Sequence, residues 1–453
     1  MPLKVAIVGR PNVGKSTLFN RLVGKRTALV DDAPGLTRDR REGEARLAGD
    51  EFTVIDTAGL EEADTGTLGG DMLAQTERAV GEAHLLLFVI DARAGVTPLD
   101  QHFANQLRRT GKSMVLLANK CEGRNAEAGL IEALELGCGE PVAISAEHGG
   151  GMADLYDAMA PYLEAGIVGQ ADASEATGGP LRLAIVGRPN VGKSTLLNKL
   201  LGDERVLTGP EPGVTRDAVT VTWHYKDREI ALIDTAGLRR RAKVAERMEK
   251  LSGSDAIRAI RFAHVVVMMV DASTIDANDG TLDKQDLTIA RTVAEEGRAL
   301  VVCANKWDAV DDRARVRARI EESLEKSLAQ VRGVPLIMIS AIDGRNLEKL
   351  MAAVFTVEER WNRRLPTGGL NRWLERMTER HPPPMAKGRR LRLRYMTQVN
   401  TRPPSFALFV SRPVELTGAY RRYLTNGLRD KFDLDGVPIR LMMRKGKNPY
   451  VKD

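Results

Sequence analysis

The chain has 453 residues, 43% hydrophobic, 28% charged and only 4% aromatic, with 67 Lys and Arg against 61 Asp and Glu for a net charge of +6. Three cysteines (Cys121, Cys138, Cys303) without Cys-x-x-Cys spacing exclude a disulfide framework and a zinc site, and the longest apolar runs, 85–90 and 265–270, are far shorter than the ~20 residues that span a bilayer. A collagen, a secreted mini-protein, a membrane-spanning protein and a disordered tail are excluded, and the length is that of about three domains of ~100–200 residues.

The first residues run straight into a strand-like stretch at 5–8, so no leader peptide is expected, and the reduced cysteines point to the cytoplasm. Further strands are predicted at 52–55, 85–90, 114–118 and 142–144, alternating with helical stretches. That alternation predicts βαβ units in an α/β, doubly wound sheet, with ligands bound at the carboxyl ends of the strands. The stretch 164–180, rich in Gly, Ala, Ser and acidic residues, reads as a flexible linker.

From residue 181 the chain repeats itself. Residues 3–18 return almost unchanged at 181–196, an offset of 178, and 34–39 and 56–60 return at the same offset. Later landmarks drift as surface loops change length: Asn119 answers to Asn305, and Ser145 to Ser340. A period this long is a duplicated domain, not a solenoid. The expected divisions are 1–163, the linker 164–180, 181–363 and, beyond Leu365-Pro366-Thr367-Gly368-Gly369, an unrelated segment 366–453.

The repeated motifs are those of a nucleotide site. Gly9, Arg10, Pro11, Asn12, Val13, Gly14, Lys15, Ser16 and Thr17 make a Gly-x4-Gly-Lys-Ser loop between a predicted strand and a helix. In that context the backbone N–H groups can cradle phosphates, the Lys15 ammonium can neutralise them and the Ser16 hydroxyl can ligate Mg²⁺. Gly187, Arg188, Pro189, Asn190, Val191, Gly192, Lys193, Ser194 and Thr195 repeat the set. Thr37 and Thr215, in Pro-Gly-rich segments, can close on Mg²⁺ and the γ-phosphate and release after hydrolysis. Asp56, Thr57, Ala58 and Gly59, with Asp234, Thr235, Ala236 and Gly237, end strands where the Asp can hold the metal through water and the Gly can offer an N–H to the γ-phosphate.

Base choice falls to Asn119, Lys120 and Glu122 in the first copy and to Asn305, Lys306 and Asp308 in the second. A carboxylate there accepts two hydrogen bonds from the guanine N1–H and 2-amino group, which adenine cannot supply. Ser145 and Ala146, with Ser340 and Ala341, are expected to give a backbone N–H to the guanine oxygen.

Five such motifs in order resemble the translation-factor-related GTPases. Two copies followed by a small basic domain resemble the double Era-like GTPases, the Der or EngA family, over nearly the whole chain. The resemblance implies two P-loop GTPase domains and a KH-like C-terminal domain, GTP and GDP as ligands with Mg²⁺, and a cytoplasmic, monomeric switch protein in assembly of the large ribosomal subunit. It also implies rRNA and ribosomal proteins as partners, and no membrane. The family pattern Asn-Lys-x-Asp is kept in the second copy but becomes Glu122 in the first, where the extra methylene predicts weaker guanine binding without loss of specificity.

After the Asp-x-x-Gly motif many GTPases place a glutamine that orients water, whereas this chain has Leu60 and Leu238. Arg10 and Arg188 could face solvent as easily as act as arginine fingers. In related GTPases the residue matching Asn12 and Asn190 helps hold a K⁺ beside the phosphates; the alternative is that each Asn only stiffens its loop. The segments after these leucines differ in charge, Glu61, Glu62 and Asp64 against Arg239, Arg240, Arg241 and Lys243, which suits different partners or plain solvation.

Residues 366–453 carry 19 Lys and Arg against 7 Asp and Glu, or +12, so the other 365 residues sum to −6. Helices are predicted at 370–379 and 415–430, and strands at 390–399, 406–411 and 438–443. Arg389, Arg390, Arg392, Arg394, Arg421 and Arg422 form the electrostatic footprint of a phosphate backbone. With no Gly-x-x-Gly clamp, contact with folded rRNA or ribosomal protein is expected rather than reading of single strands. His84 and His264 precede equivalent strands and are expected to serve the fold, as are Trp307 and Cys121. Two functions compete: a GTP-hydrolysing switch, and a scaffold that holds nucleotide structurally.

Overall fold

A computed structural model of the chain describes residues 3–24, 41–47, 50–57, 79–122, 126–164, 180–202, 221–233, 253–277, 281–328, 331–386, 389–412 and 416–445. They fall into two compact units, residues 1–179 and residues 180–453. The first is built on a six-stranded sheet of β1 (Lys4–Val8), β2 (Arg41–Leu47), β3 (Asp50–Asp56), β4 (Leu85–Asp91), β5 (Ser113–Asn119) and β6 (Val142–Ala143). Their order is β2-β3-β1-β4-β5-β6, parallel except for the β2–β3 hairpin.

The strand sequences explain the placement. β4 is buried at all seven positions, as a central parallel strand with helices on both faces must be, so its apolar run shows no alternation. β2 is the strand that the sequence reading misses. Its Glu42, Glu44 and Arg46 alternate with buried Gly43, Ala45 and Leu47, the pattern of a half-solvated edge strand with small inward residues. A Cβ on Gly43 would lie 2.7 Å from Val23, so the glycine lets the helix Lys15–Val23 close on the sheet.

The second unit repeats the plan with β7 (Leu181–Val186), β8 (Val221–Tyr225), β9 (Arg228–Leu232), β10 (Val265–Asp271), β11 (Ala299–Asn305) and β12 (Leu336–Met338), in the matching order β8-β9-β7-β10-β11-β12. The two histidines do serve the fold. The Lys4 N–H donates to His84 Nδ1 (3.0 Å) and the Arg182 N–H to His264 Nδ1 (3.2 Å), prolonging the ladder ahead of β4 and β10.

The chain then continues through the helix Thr367–Arg380, β13 (Met385–Ala386), β14 (Arg389–Arg390), β15 (Leu393–Asn400), β16 (Ser405–Val410), the helix Gly418–Phe432 and β17 (Arg440–Lys445). β15 is antiparallel to β16, and β17 returns parallel to β16 after the helical crossover, giving a three-stranded sheet with helices.

The core is continuous across the boundary expected near 365. One apolar cluster runs from Leu183 and Val267 through Trp361, Leu365 and Trp373 to Phe406 and Leu428. The Trp361 indole N–H donates to Gly297 O (2.8 Å), the Leu365 N–H to Gln398 Oε1 (2.6 Å), and Arg360 pairs with Asp433 at 2.6 Å. At the start of β11 the Leu300 N–H donates to Gly436 O (3.3 Å), extending the ladder with a loop from the C-terminal domain. Apolar burial and satisfied backbone groups thus make 180–453 one packed body.

Candidate functional site

In both halves the phosphate-binding loop follows the first strand of its sheet and hands over to a helix, at the carboxyl end of the strands. Gly14 (φ 97°) and Gly192 (φ 96°) occupy the left-handed region immediately before the helices Lys15–Val23 and Lys193–Leu201. No side chain caps either helix start among the described residues, so the first N–H groups are presented by the loop itself. A Cβ on Gly14 would lie 2.3 Å from Asn119 Nδ2, and one on Gly192 2.3 Å from Asn305 Nδ2. The loop and the base motif are therefore built against each other.

The loop lysines are buried and held alike. Lys15 Nζ donates to Gly9 O (2.8 Å) and Arg10 O (2.9 Å), and Lys193 Nζ to Gly187 O (2.9 Å) and Arg188 O. Ser16 and Ser194 are half-buried, while Asn12 and Asn190 are exposed and left-handed (φ 64° and 63°) in both copies. Thr57 is buried, with its hydroxyl donating to Ile7 O (2.7 Å) inside the sheet. Asp56, at the end of β3, is also buried. Ser16 and Asp56 offer only hard oxygen donors, a set that fits Mg²⁺. Thr37, Ala58, Gly59, Leu60, Thr215, Asp234, Thr235, Ala236, Gly237 and Leu238 lie outside the described residues, as do the charged segments after the leucines.

At the motif expected to read the base, Asn119 joins two loops: its amide donates to Val13 O (2.8 Å) and its oxygen accepts the Ala146 N–H (2.9 Å). Asn305 does the same with Val191 O (2.8 Å) and the Ala341 N–H (2.9 Å). The alanine N–H groups expected to meet the guanine oxygen thus already serve the asparagines, and any contact with the base shares them. Lys120 Nζ donates to Asn12 O (2.6 Å) and pairs with Asp91 at 2.7 Å, while Lys306 pairs with Asp271. Burial would raise the Asp91 carboxyl, but hydrogen bonds from Lys120 and from the Arg93 and Ala94 N–H groups outweigh it and hold it below the ordinary value. Asp271 is lowered in the same way against its burial, by Lys306, Ser273 and the Thr274 N–H.

The carboxylates expected to read the base differ between the copies. Glu122 accepts the Ser145 hydroxyl on one oxygen and the Arg93 guanidinium on the other. Burial would raise its carboxyl, and the Ser145 hydroxyl, the Glu122 backbone N–H and Arg93 together pull it below the ordinary value. Asp308 accepts from the Ser340 hydroxyl, which lowers it, with Arg345 and Arg313 contributing at longer range.

Asp100 and Asp286 are buried partners of the loop arginines that sequence reasoning missed. Arg10 Nε lies 3.2 Å from Asp100, and Arg188 Nε lies 3.0 Å from Asp286. Both aspartates are fully buried at the start of the helix after β4 or β10, so these arginines are tethered beside the loop instead of facing solvent. The Thr97-Pro98-Leu99-Asp100 capping box was the available signal. Burial, only partly offset by Arg188, pushes the Asp286 carboxyl up to about 6.

In the C-terminal domain Arg392, Arg394 and Arg422 are exposed, and the side chains of Arg389 and Arg390 lie outside the described residues. Other cations there serve the fold. Arg421 donates to Leu441 O (3.0 Å), Arg402 to Asn362 (2.6 Å), and the buried Arg429 is lowered to about 10 by loss of hydration. The +12 therefore overstates the charge left for a partner.

Residues 4–120 and 182–306 match the family model described as 50S ribosome-binding GTPase, and 364–444 match the KH-domain-like C-terminal domain of EngA bacterial GTPase enzymes. The GTPase Der of Parvibaculum lavamentivorans is 54% identical over 472 residues, covering 99% of this chain and 98% of the relative. That of Azorhizobium caulinodans is 54% identical over 456 residues, covering 99% of each. That of Dinoroseobacter shibae is 53% identical over 474 residues, covering 99% of this chain and 96% of the relative.

Proposed function

Since this chain belongs to the GTPase Der family, and so binds and hydrolyses GTP, we propose that it is a cytoplasmic switch acting in assembly of the large ribosomal subunit, which it engages in a nucleotide-dependent way. The observation that carries this is the paired geometry: two phosphate loops, each buttressed by its own asparagine and lysine, in one chain with a KH-like domain packed on the second. Duplicating the phosphate loop with its supporting asparagine gives two binding equilibria whose occupancies can differ, which a structural nucleotide would not require.

In this reading Lys15 and Lys193 neutralise the β- and γ-phosphates. Ser16, Thr37 and Asp56, with Ser194, Thr215 and Asp234, are the residues that would hold a Mg²⁺, which would supply charge stabilisation at the phosphates. Gly59 and Gly237 offer N–H groups to the γ-phosphate. The tethering of Arg10 to Asp100 and Arg188 to Asp286 argues against either as an arginine finger. Asn12 and Asn190 are the residues that would help hold K⁺, the cation that takes the finger's place. Equal turnover in K⁺ and Na⁺ at matched ionic strength removes that role.

The partner surface is the exposed part of the KH-like domain, Arg392, Arg394 and Arg422, facing folded rRNA, with ribosomal proteins as further contacts and the chain itself monomeric. Among the described residues no helix is long and apolar enough to cross a membrane. Co-sedimentation with purified large ribosomal subunits, with GTP analogue or GDP and over a salt series, tests the proposal. Binding that depends on nucleotide and weakens with salt is expected, and binding indifferent to nucleotide overturns the switch.

A further inference from the structure

The two base-reading ends are not equivalent. Where β4 ends, the Arg93 N–H closes a turn on Asp91 Oδ1 (2.9 Å), and the Arg93 side chain crosses to Glu122. Where β10 ends, Ser273 closes the same turn on Asp271 Oδ1 (3.1 Å), and its short side chain bonds that same carboxylate. So the copy with the longer Glu122 has an arginine that reaches it, and the copy with Asp308 has a serine that cannot.

We propose that Arg93 is a positioning residue for guanine recognition in the first copy, fixing Glu122 so that its carboxylate meets the base edge despite the extra methylene. The proposal rests on the reading of Glu122 as the guanine-recognition carboxylate. The Arg93–Glu122 pair is half exposed on the arginine side, and such pairs contribute little to stability. Its consequence is orientation. A free glutamate has one more rotatable bond than aspartate to freeze when the base arrives, and a carboxylate already held by its donors has that freedom removed in advance.

The carboxylate is held from more than one side. An ionised carboxylate has about four lone-pair sites. The Ser145 hydroxyl takes one on Oε1, Arg93 takes one on Oε2 and the Glu122 backbone N–H takes a third, so the carboxylate is fixed by three donors with one site left open for the guanine edge. The neighbouring loop is held in the same manner: Arg21 donates to the carbonyls of Ala146 and Glu147, where the second copy has Lys199. The first copy's base pocket is thus braced by arginines at both edges.

The test reads the first site in the full chain with the second silenced by Lys193→Ala, titrating GDP and inosine diphosphate, which lacks the 2-amino group. Arg93→Ala is expected to lower the GDP-over-IDP preference about tenfold, the worth of one charge-assisted hydrogen bond, and Arg93→Lys to restore part of it. Glu122→Asp is expected to weaken GDP binding, the reverse of what the extra methylene alone predicts, because the shorter carboxylate leaves Arg93's reach. The double change Arg93→Ser with Glu122→Asp rebuilds the second copy's pairing and is expected to recover it. If Glu122→Ala collapses the preference while Arg93→Ala leaves it intact, the inference is overturned and the guanine reading stands. If Glu122→Ala also leaves it intact, the guanine reading of Glu122 fails and takes the inference with it.

Discussion

Replacing Gly14 by alanine probes the junction between the phosphate loop and the base motif. At φ 97° an L-residue is strained, by about 1–2 kcal/mol for the left-handed region. The new Cβ would stand 2.3 Å from Asn119 Nδ2, roughly 1 Å inside ordinary contact, and the amide must move. Moving it breaks the 2.8 Å bond to Val13 O and disturbs the 2.9 Å bond from the Ala146 N–H, and leaving a buried amide unsatisfied costs about 1–3 kcal/mol. Together these come to about 2–5 kcal/mol, or roughly 30-fold to 4,000-fold in affinity if borne by the bound state. Equilibrium titration of the full chain with GDP is expected to show one tight site and one weakened by that factor. Gly192→Ala is expected to do the same to the other site. Gly111→Ala is the control: its φ is also positive (66°), but nothing lies within 4 Å of the added methyl, so unfolding shifts while GDP binding does not. Two undisturbed tight sites in Gly14→Ala would refute the buttressing of the loop by Asn119.

Lys15→Ala and Lys193→Ala are each expected to slow single-turnover GTP hydrolysis in their own copy by about 10²–10³-fold, and a double variant as fast as the parent chain would eliminate both lysines from the chemistry. Trp361→Ala is expected to destabilise the second unit by about 3–5 kcal/mol in urea, and Trp361→Phe by about 1–2 through the orphaned Gly297 carbonyl; a loss under 1 kcal/mol for the alanine would mean that the C-terminal domain is not anchored there. The Asp286 carboxyl at about 6 lies above its unfolded value of about 3.9, so the fold favours the protonated form. That contribution is full below pH ~4 and is lost as pH rises through about 6, by roughly 3 kcal/mol. Asp286→Asn is expected to flatten the stability slope between pH 4 and 6.5, and an unchanged slope would count against burial as the cause.

Much of the architecture was readable along the chain because it depends on local or periodic signals. The uninterrupted apolar runs of β4 and β10 mark strands covered on both faces, and the Gly-x4-Gly-Lys-Ser spacing carries its own backbone geometry wherever a strand precedes it and a helix follows. β2 escaped because an edge strand needs only one buried face, and Gly43 and Ala45 supply that face with almost no hydrophobic signal.

The duplication, the motif set and the concentration of positive charge after residue 366 follow from residue identity and spacing along the chain. What those groups touch follows from the fold. It tied Arg10 to Asp100 across 90 residues, gave the Ala146 N–H to Asn119, set Arg93 on Glu122, turned Arg421 of the expected phosphate footprint onto the Leu441 carbonyl, and used Arg402 and Arg429 within the fold. It also packed the C-terminal domain onto the second copy through one core that includes Trp361 and Leu365. The reason is physical. A side chain's identity fixes which bonds it can make, but burial and a partner distant in the chain determine which one it makes.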